Sequence, residues 1–150
     1  GATMSKNIQR FIEDIEVGME LEPTFNTPTT TQLFNYSAVS RNGHRIHYEE
    51  KFAHGDRLPA VLVQGPLQGA QLSAYICDWM GDAGFVKKYG FSCRGIAMPG
   101  ETLTIKGRVK RTLEEDGNHA VELEGWEENG EGEKLVPATA TVYLPSRAAQ

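Results

Sequence analysis

The sequence has 150 residues, a hydrophobic content of 39% and a charged content of 23%. These values are ordinary for one soluble globular domain and exclude a largely disordered chain. The net charge of −5 argues against a nucleic-acid partner, because such partners require a basic surface that neutralises phosphates. No apolar run approaches the ~18 residues of a membrane-spanning helix, and none typical of a signal peptide follows the N-terminus. We therefore expect a cytoplasmic protein that binds neither nucleic acid nor a membrane.

The chain contains two cysteines, Cys77 and Cys93. Two are too few for a disulfide framework or a zinc site, so a reducing compartment and no bound metal are expected. We interpret residues 1–3 as a cloning remnant ahead of Met4. One domain is accordingly expected over residues 4–150.

The first part of the chain, residues 8–63, is punctuated by glycine and proline and predicts two short helices. The run Thr29-Thr30-Thr31 predicts a capped start for the first of them, which continues through Val39. The second is a helical turn expected around residues 48–53. The remainder of this part is interpreted as loops, among them the surroundings of His54.

The clearest helix runs from Gly65 to Gly81. Pro66 suits the first helical position, where its missing N–H has no partner to lose, and Gly81 is typical of a helix end. Apolar side chains cover most of the helix surface, which predicts burial on nearly all sides. Cys77 is accordingly interpreted as a small core residue.

The last third of the chain predicts three antiparallel strands. Apolar and polar residues alternate over residues 103–110, 121–124 and 138–144. Turn-forming residues 116–118 and 129–132 separate them, and His119 is assigned to such a turn. One buried helix followed by long strands predicts an α+β domain whose sheet wraps the helix. Because a single sheet cannot cover a helix and also bury its own outer face, we expect a dimer with continuous sheets.

Two places in the chain carry reactive groups. Residues 40–48 follow the first helix and contain two histidines, two arginines and Asn42, so they could present His47 to a cleft as a general acid or base. The second place is Gly65, where a ligand can approach the unpaired N–H groups at the positive end of the helix dipole. A solvated loop and an ordinary Gly-Pro helix start are the alternatives, and both are more common.

Two motifs resemble the MaoC-like hydratase/dehydratase family of the hot-dog fold, in particular the branch of mesaconyl-CoA hydratase and the type 2 hydroxyacyl-thioester dehydratases. They are Asn42-Gly43-His44-Arg45-Ile46-His47-Tyr48 and Leu62-Val63-Gln64-Gly65-Pro66-Leu67. The later segment Met98-Pro99-Gly100-Glu101 is also similar to the family. The resemblance implies a long central helix wrapped by an antiparallel sheet. It also implies a hydro-lyase that adds or removes water across the 2,3 bond of an enoyl-CoA, 3-hydroxyacyl-CoA or acyl-carrier thioester.

In that family an aspartate lies five residues before a catalytic histidine, and a glycine at the helix start holds the thioester carbonyl. The matching positions are Asn42, His47 and Gly65, with the same spacings. Two positions depart from the family pattern. Asn42 replaces the aspartate, although an asparagine is also usual there in the narrower branch, and Gln64 replaces the histidine of that branch's His-Gly-Pro motif. Acid–base chemistry is thereby assigned to His47, and the orientation of water to Asn42. Substrate contacts are implied for Gln64, His44, Arg45 and Pro66.

The resemblance implies no cofactor beyond the CoA or phosphopantetheine of the substrate, and no metal. The expected partner is an acyl-CoA or acyl-carrier thioester, and the expected assembly is a homodimer or a heterodimer with another hot-dog chain. Any of five basic residues could hold the phosphates: Arg41, Arg45, Lys51, Arg57 and Arg94.

Two other functions remain open. A non-catalytic hot-dog subunit, which binds an acyl thioester or completes a partner's active site, is permitted by Asn42 and Gln64. A thioesterase of the same fold would use a carboxylate on the central helix. The available one, Asp78, follows Gly65 by 13 residues, or about 20 Å along a helix, and is interpreted as solvated.

Overall fold

The computed structural model describes residues 8–149, so the remnant expected at residues 1–3 lies outside the described range. Its elements, in chain order, are β1 (Glu20–Asn26), α1 (Thr30–Ser40), α2 (Glu50–Gly55), α3 (Gly65–Met80), β2 (Phe85–Phe91), β3 (Leu103–Glu115), β4 (Asn118–Glu128) and β5 (Lys134–Leu144). Single 3-10 turns occur at Ile12–Asp14, Arg45–His47 and Arg147–Ala149. The predicted helices and the three predicted strands are confirmed, whereas β1 and β2 are additional.

The five strands form one antiparallel sheet in the order β1-β3-β4-β5-β2, so β1 and β2 are its edges. Burial alternates along β3, β4 and β5 because one sheet face is turned toward the core. α3 packs against β2, β4 and β5. The predicted α+β architecture, with an antiparallel sheet around a central helix, is confirmed.

A pair of glycines lies where the sheet meets the middle of α3. Gly107 on β3 and Gly125 on β4 are register partners. A Cβ at Gly107 would lie 3.2 Å from Leu21 Cδ2 and 3.4 Å from Tyr75 Cε1, and one at Gly125 would lie 3.6 Å from Leu72 Cδ2. The helix thus lies so close to the sheet here that a Cβ at either position would already be in van der Waals contact with an α3 side chain.

α3 is buried along one side only. It ends before Gly81, whose φ of 82° favours glycine. Its buried residues are Leu67, Gln68, Gly69, Leu72, Tyr75, Ile76, Trp79 and Met80. The other side is exposed at Ala70, Ala74, Cys77 and Asp78. The prediction of burial on nearly all sides, and of Cys77 in the core, is therefore wrong for a single chain, because the sheet reaches only one side of the helix.

The chain between β1 and α3 is anchored by its helix ends. Thr29 caps α1 as predicted, because its side chain accepts a hydrogen bond from Gln32 N at 3.1 Å. The loop and turn positions predicted for His54 and His119 are wrong, since these residues lie in α2 and β4. A histidine suits the last turn of a helix, and the tight turn at Asp116-Gly117 lets β4 begin at once.

Within residues 8–149, no helix has the length and apolar character needed to cross a membrane.

Candidate active site

His47 is half-buried in the 3-10 turn after α1, and its ring is held at one nitrogen. Nδ1 lies 2.8 Å from the carbonyl oxygen of Leu62, while Leu62 N donates to Ile46 O at 2.9 Å. Because a carbonyl oxygen only accepts, Nδ1 carries the proton and the neutral ring presents an unprotonated Nε2. The turn thus supplies one proton acceptor in a fixed tautomer.

Asn42 and His44 belong to the same loop as His47. Asn42 Oδ1 accepts a hydrogen bond from His44 N at 3.4 Å. The His44 ring lies edge-on to the His47 ring, with 6.0 Å between the centroids. His44 is exposed, and Asn42 is half-buried. The structure therefore brings the three polar residues of the first motif into one turn.

The Arg45 side chain is hydrogen-bonded to another side chain of the same chain. Its guanidinium makes two hydrogen bonds to the Glu49 carboxylate, at 2.6 and 2.7 Å, and lies 4.6 Å from the centroid of the Phe52 ring. The hydrogen bond from Arg45 holds the pKa of Glu49 below its usual value. The two bonds to Glu49 use Nε and Nη2, so Nη1 of the exposed guanidinium is left to contact a substrate phosphate.

The start of α3 presents backbone donors. Gln64 is the N-cap, but its side chain makes no capping hydrogen bond, and the first N–H groups of a helix have no intrahelical acceptor. Pro66 is exposed and has no N–H, so Gly65 N–H is the first donor of the helix. A Cβ at Gly65 would lie only 2.5 Å from Cys93 Sγ. An alanine would therefore require the exposed Cys93 side chain to move. A carbonyl oxygen at Gly65 meets an N–H at the positive end of the helix dipole.

Gln64, a predicted substrate contact, is fully buried at 0% exposure. Its Nε2 donates to Leu33 O at 2.7 Å and to Ser37 Oγ at 2.9 Å, and both of these residues lie on α1. Its Oε1 is buried without a hydrogen-bond partner among the described residues. The structure thus places the Gln64 side chain between α1 and the start of α3.

Residues 62–64 connect the two candidate groups. Leu62 O holds His47, and Val63 N donates to Ala97 O at 2.8 Å in the loop after β2. Gly65 follows Leu62 by three residues, which span at most about 11 Å. His47 and Gly65 therefore lie at the same end of α3, as the motif spacing predicts.

The other candidates are exposed side chains. Asp78 is exposed in the last turns of α3, beside a cleft of about 640 Å³ that also borders β1. The remaining proposed phosphate contacts are exposed: Arg41, Lys51, Arg57 and Arg94. Within residues 8–149, no three His, Cys, Asp or Glu side chains are grouped as metal ligands would be.

Three groups near the helix start are absent from the sequence-based candidates. The Leu62 carbonyl and Cys93 have no sequence signal, because their roles arise from chain segments that meet only in the fold. Glu127 does have a sequence signal, because it occupies a position of β4 that the alternating pattern assigns to the buried face. Its Oε1 accepts a 2.7 Å hydrogen bond from Gln68 on α3. Burial raises the pKa of Glu127, and the Gln68 bond opposes this only in part.

Residues 8–98 match the family model described as hydroxyacyl-thioester dehydratase type 2. The chain is 25% identical over 123 residues to fatty acid synthase subunit beta of Saccharomyces cerevisiae, an alignment that covers 78% of this chain and 6% of that protein. It is 39% identical over 56 residues to mesaconyl-C(4)-CoA hydratase of Chloroflexus aurantiacus, covering 33% of this chain and 20% of that protein. The chain thus spans a small part of these curated relatives.

Similar solved structures share the fold at low sequence identity. The R-hydratase PhaJ1 from Pseudomonas aeruginosa superposes with a TM-score of 0.81 at 20% identity, over 91% of this chain and 86% of that one. A MaoC-like dehydratase from Rhodospirillum rubrum gives 0.79 at 16% identity, over 92% and 98%. The ChsH1-ChsH2 complex from Mycobacterium tuberculosis gives 0.75 at 19% identity, over 86% and 98%. These likenesses show the hot-dog fold implied by the motifs.

Proposed function

Since the chain belongs to the type 2 hydroxyacyl-thioester dehydratase family, we propose that it adds water to an enoyl thioester or removes water from a 3-hydroxyacyl thioester. The observation that carries this proposal is the 2.8 Å contact between His47 Nδ1 and Leu62 O. That contact leaves Nε2 available for proton transfer at the end of α3 where Gly65 N–H begins the helix. The substrate brings its own CoA or phosphopantetheine, and the proposal uses no other cofactor.

In the hydration direction, His47 Nε2 takes a proton from water while the water oxygen bonds to C3 of the substrate. The electron pair of the double bond moves onto the thioester, and Gly65 N–H stabilises the resulting enolate oxygen. The protonated ring then gives its proton to C2, so that the histidine ends neutral. Asn42 has no proton to exchange, and its amide is assigned to orienting the water.

The substrate contacts of the proposal follow from exposure. His44 and Pro66 are exposed and are assigned to contact the substrate. Arg45 is assigned to the phosphates through Nη1, which Glu49 does not bind. Both cysteines are free thiols, which agrees with the proposed location in a reducing cytoplasm.

The test is hydration of short, medium and dicarboxylic enoyl-CoA thioesters, followed by loss of the enoyl absorbance. His47→Ala should lose at least about 10²-fold in rate, the typical contribution of a positioned acid–base group. His54→Ala is the matched control, because His54 Nδ1 also contacts a backbone carbonyl, Leu58 O, at 3.1 Å, while its side chain is exposed on α2. This control should keep the wild-type rate.

Two outcomes would contradict the proposal. A folded protein that is silent on the whole panel, and active only when mixed with a second hot-dog chain, would be a non-catalytic subunit. The replacement of the family aspartate by Asn42 favours this second candidate. Hydrolysis of saturated acyl-CoA without hydration of enoyl-CoA would indicate a thioesterase instead.

We also propose that the chain dimerises through the β2 edge, either with itself or with another hot-dog chain. β2 carries two exposed aromatic side chains, Phe85 at 60% and Phe91 at 40%, whereas β1 carries one, and an unpaired strand edge favours pairing with another strand. The exposed small residues of α3, including Ala70 and Cys77, offer a surface for a neighbouring helix. In analytical ultracentrifugation, Phe85→Lys should dissociate the dimer. Phe25→Lys on the β1 edge, where Phe25 is 70% exposed, should not; a monomeric wild type would refute the proposal.

A further inference from the structure

We propose that Gln64 is a positioning residue, whose amide ties α1 to the start of α3 and thereby fixes the segment that holds the His47 ring. The inference rests on the proposed function for its kinetic consequence. Its spectroscopic consequence is independent of that function. Gln64 itself touches neither the substrate nor the reacting atoms.

The side-chain hydrogen bonds of Gln64 are made to α1 and not to the proposed reaction centre. Both of its amide hydrogens have acceptors on α1, Leu33 O at 2.7 Å and Ser37 Oγ at 2.9 Å. With 0% of the residue exposed, the side chain has no surface left for a substrate. Leu33 and Ser37 are themselves buried, so this anchor is shielded from water. Hydrogen bonds in such a setting hold their geometry better than exposed ones.

The same short segment fixes both proposed reacting groups. Gln64 lies between Leu62, whose carbonyl orients His47, and Gly65, whose N–H begins α3. Val63, the residue between Leu62 and Gln64, donates its N–H to Ala97 O and buries its side chain in the core, so that the Gln64 amide is the polar side-chain anchor of this segment. A shift of the Gln64 anchor therefore moves the carbonyl that sets the His47 tautomer. Displacements of about 1 Å in such groups lower rates by about 10²-fold.

Gln68 provides a matched control one helical turn later. It is also a buried glutamine of α3, but its Nε2 donates to Glu127 Oε1 on β4 rather than to α1. Its loss removes a buried hydrogen bond of the same type without releasing residues 62–64. A general weakening of the fold should therefore appear in both glutamine variants, and a positioning effect only in the Gln64 variant.

The first readout is the His47 tautomer, measured by ¹⁵N NMR of the histidine ring nitrogens in the full-length labelled chain. The wild type and Gln68→Leu should show a protonated Nδ1 and an unprotonated Nε2. Gln64→Leu should show a mixture of tautomers, while Gln64→His, which keeps one ring N–H donor, should restore the wild-type pattern at least in part. Unchanged tautomers in Gln64→Leu would overturn the proposal, whether or not the protein is a hydratase.

The second readout is steady-state hydration of the best enoyl-CoA of the panel. Gln64→Leu should lower kcat by about 10²-fold with little change in KM, since the defect is in the position of the acid–base group. An equal loss in Gln68→Leu, or a change confined to KM, would refute the role. If Gln64→Leu does not fold, Ser37→Ala removes one of the two anchors and should shift the tautomer and kcat in the same direction; no shift would count against the proposal.

Discussion

Replacing Glu127 with glutamine is expected to make the folded protein more stable at neutral and alkaline pH. Glu127 is 0% exposed, its Oε1 accepts from Gln68, and its Oε2 is buried without a partner among the described residues. Burial raises the pKa of this carboxyl. The substitution keeps an oxygen for Gln68 and removes the group that must ionise.

The size of the effect follows from proton linkage. The unfolded chain releases the Glu127 proton near the ordinary pKa of 4.5, and the folded protein retains it to higher pH. The free energy of unfolding therefore falls as pH rises from about 4.5 to the raised pKa, and is constant above it. The loss is about 1.4 kcal/mol for each unit that separates the two pKa values. At acid pH, where the carboxyl is neutral, the Glu127→Gln variant should match the wild type within about 1 kcal/mol.

The assay is urea unfolding at a series of pH values from 4 to 9, with tryptophan fluorescence as the signal and a fixed protein concentration. Glu122→Gln is the matched control on the outward face of the same strand. Arg111 binds Glu122 at 2.7 Å and lowers its pKa. Its contribution is therefore present above pH 4.5 and lost as pH falls through the lowered pKa. This variant should be less stable at neutral pH, by at most about 1 kcal/mol.

Parallel pH profiles for the wild type and Glu127→Gln would refute the reasoning, because they would mean that this carboxyl has the same pKa in the folded and unfolded chains. A wild type that gains stability relative to the variant as pH rises would refute it more strongly. That result would require a charge-stabilising partner for Glu127.

Gly65→Ala keeps the backbone N–H but places a Cβ 2.5 Å from Cys93 Sγ, so it should destabilise the fold by about 1–3 kcal/mol. Cys93→Ala should recover part of that loss in urea titrations, and strictly additive effects would contradict the contact. Iodoacetamide should block enoyl-CoA hydration by modifying Cys93 beside Gly65; persistent inhibition of Cys93→Ala would locate the sensitive thiol at Cys77. Thr29→Ala should lower thermal stability by about 0.5–2 kcal/mol through loss of the cap on Gln32 N, and Thr29→Ser should retain most of it.

The elements that were predictable from the sequence carry their signals locally. Thr29 precedes a helical stretch, Gly65 and Gly81 bracket α3, and the alternation along β3 to β5 needs only the strand period of two. The positions of His47 and Gly65 at one end of α3 follow from the spacing of two motifs. Each of these signals is contained in a short window and does not depend on distant parts of the chain.

The edge strands show why the rest was not predictable. Along β1 only Leu21 is buried, so the strand has no alternating pattern. Its pairing with β3 shifts register between Leu21 and Thr24, and β2 shifts between Val86 and Lys88. Such strands are defined by the partner they pair with. The exposed side of α3 is a similar case, because an apolar helix face has the same sequence pattern whether it is covered by its own sheet or by another chain.

The roles of the site residues were predictable only in part. The family resemblance points to Asn42, His47 and Gly65, but a backbone carbonyl that sets a tautomer, as Leu62 does, has no side-chain signature. Gln64 illustrates the converse difficulty. A glutamine beside a reactive glycine is polar in the sequence, and only the fold shows that its amide points to α1.

The distance between α3 and the sheet depends on the side chains of the sheet as well as on those of the helix, as the glycine pair Gly107 and Gly125 shows. α3 has 16 residues, and a hydrogen-bonded helix of that length moves largely as a rigid rod. A methyl group at Gly107 would lie 3.4 Å from Tyr75 Cε1, which is already van der Waals contact with α3. A larger side chain at this position would press on the rod from below and should shift the Gly65 donor at its end, although residue 107 itself lies on the sheet.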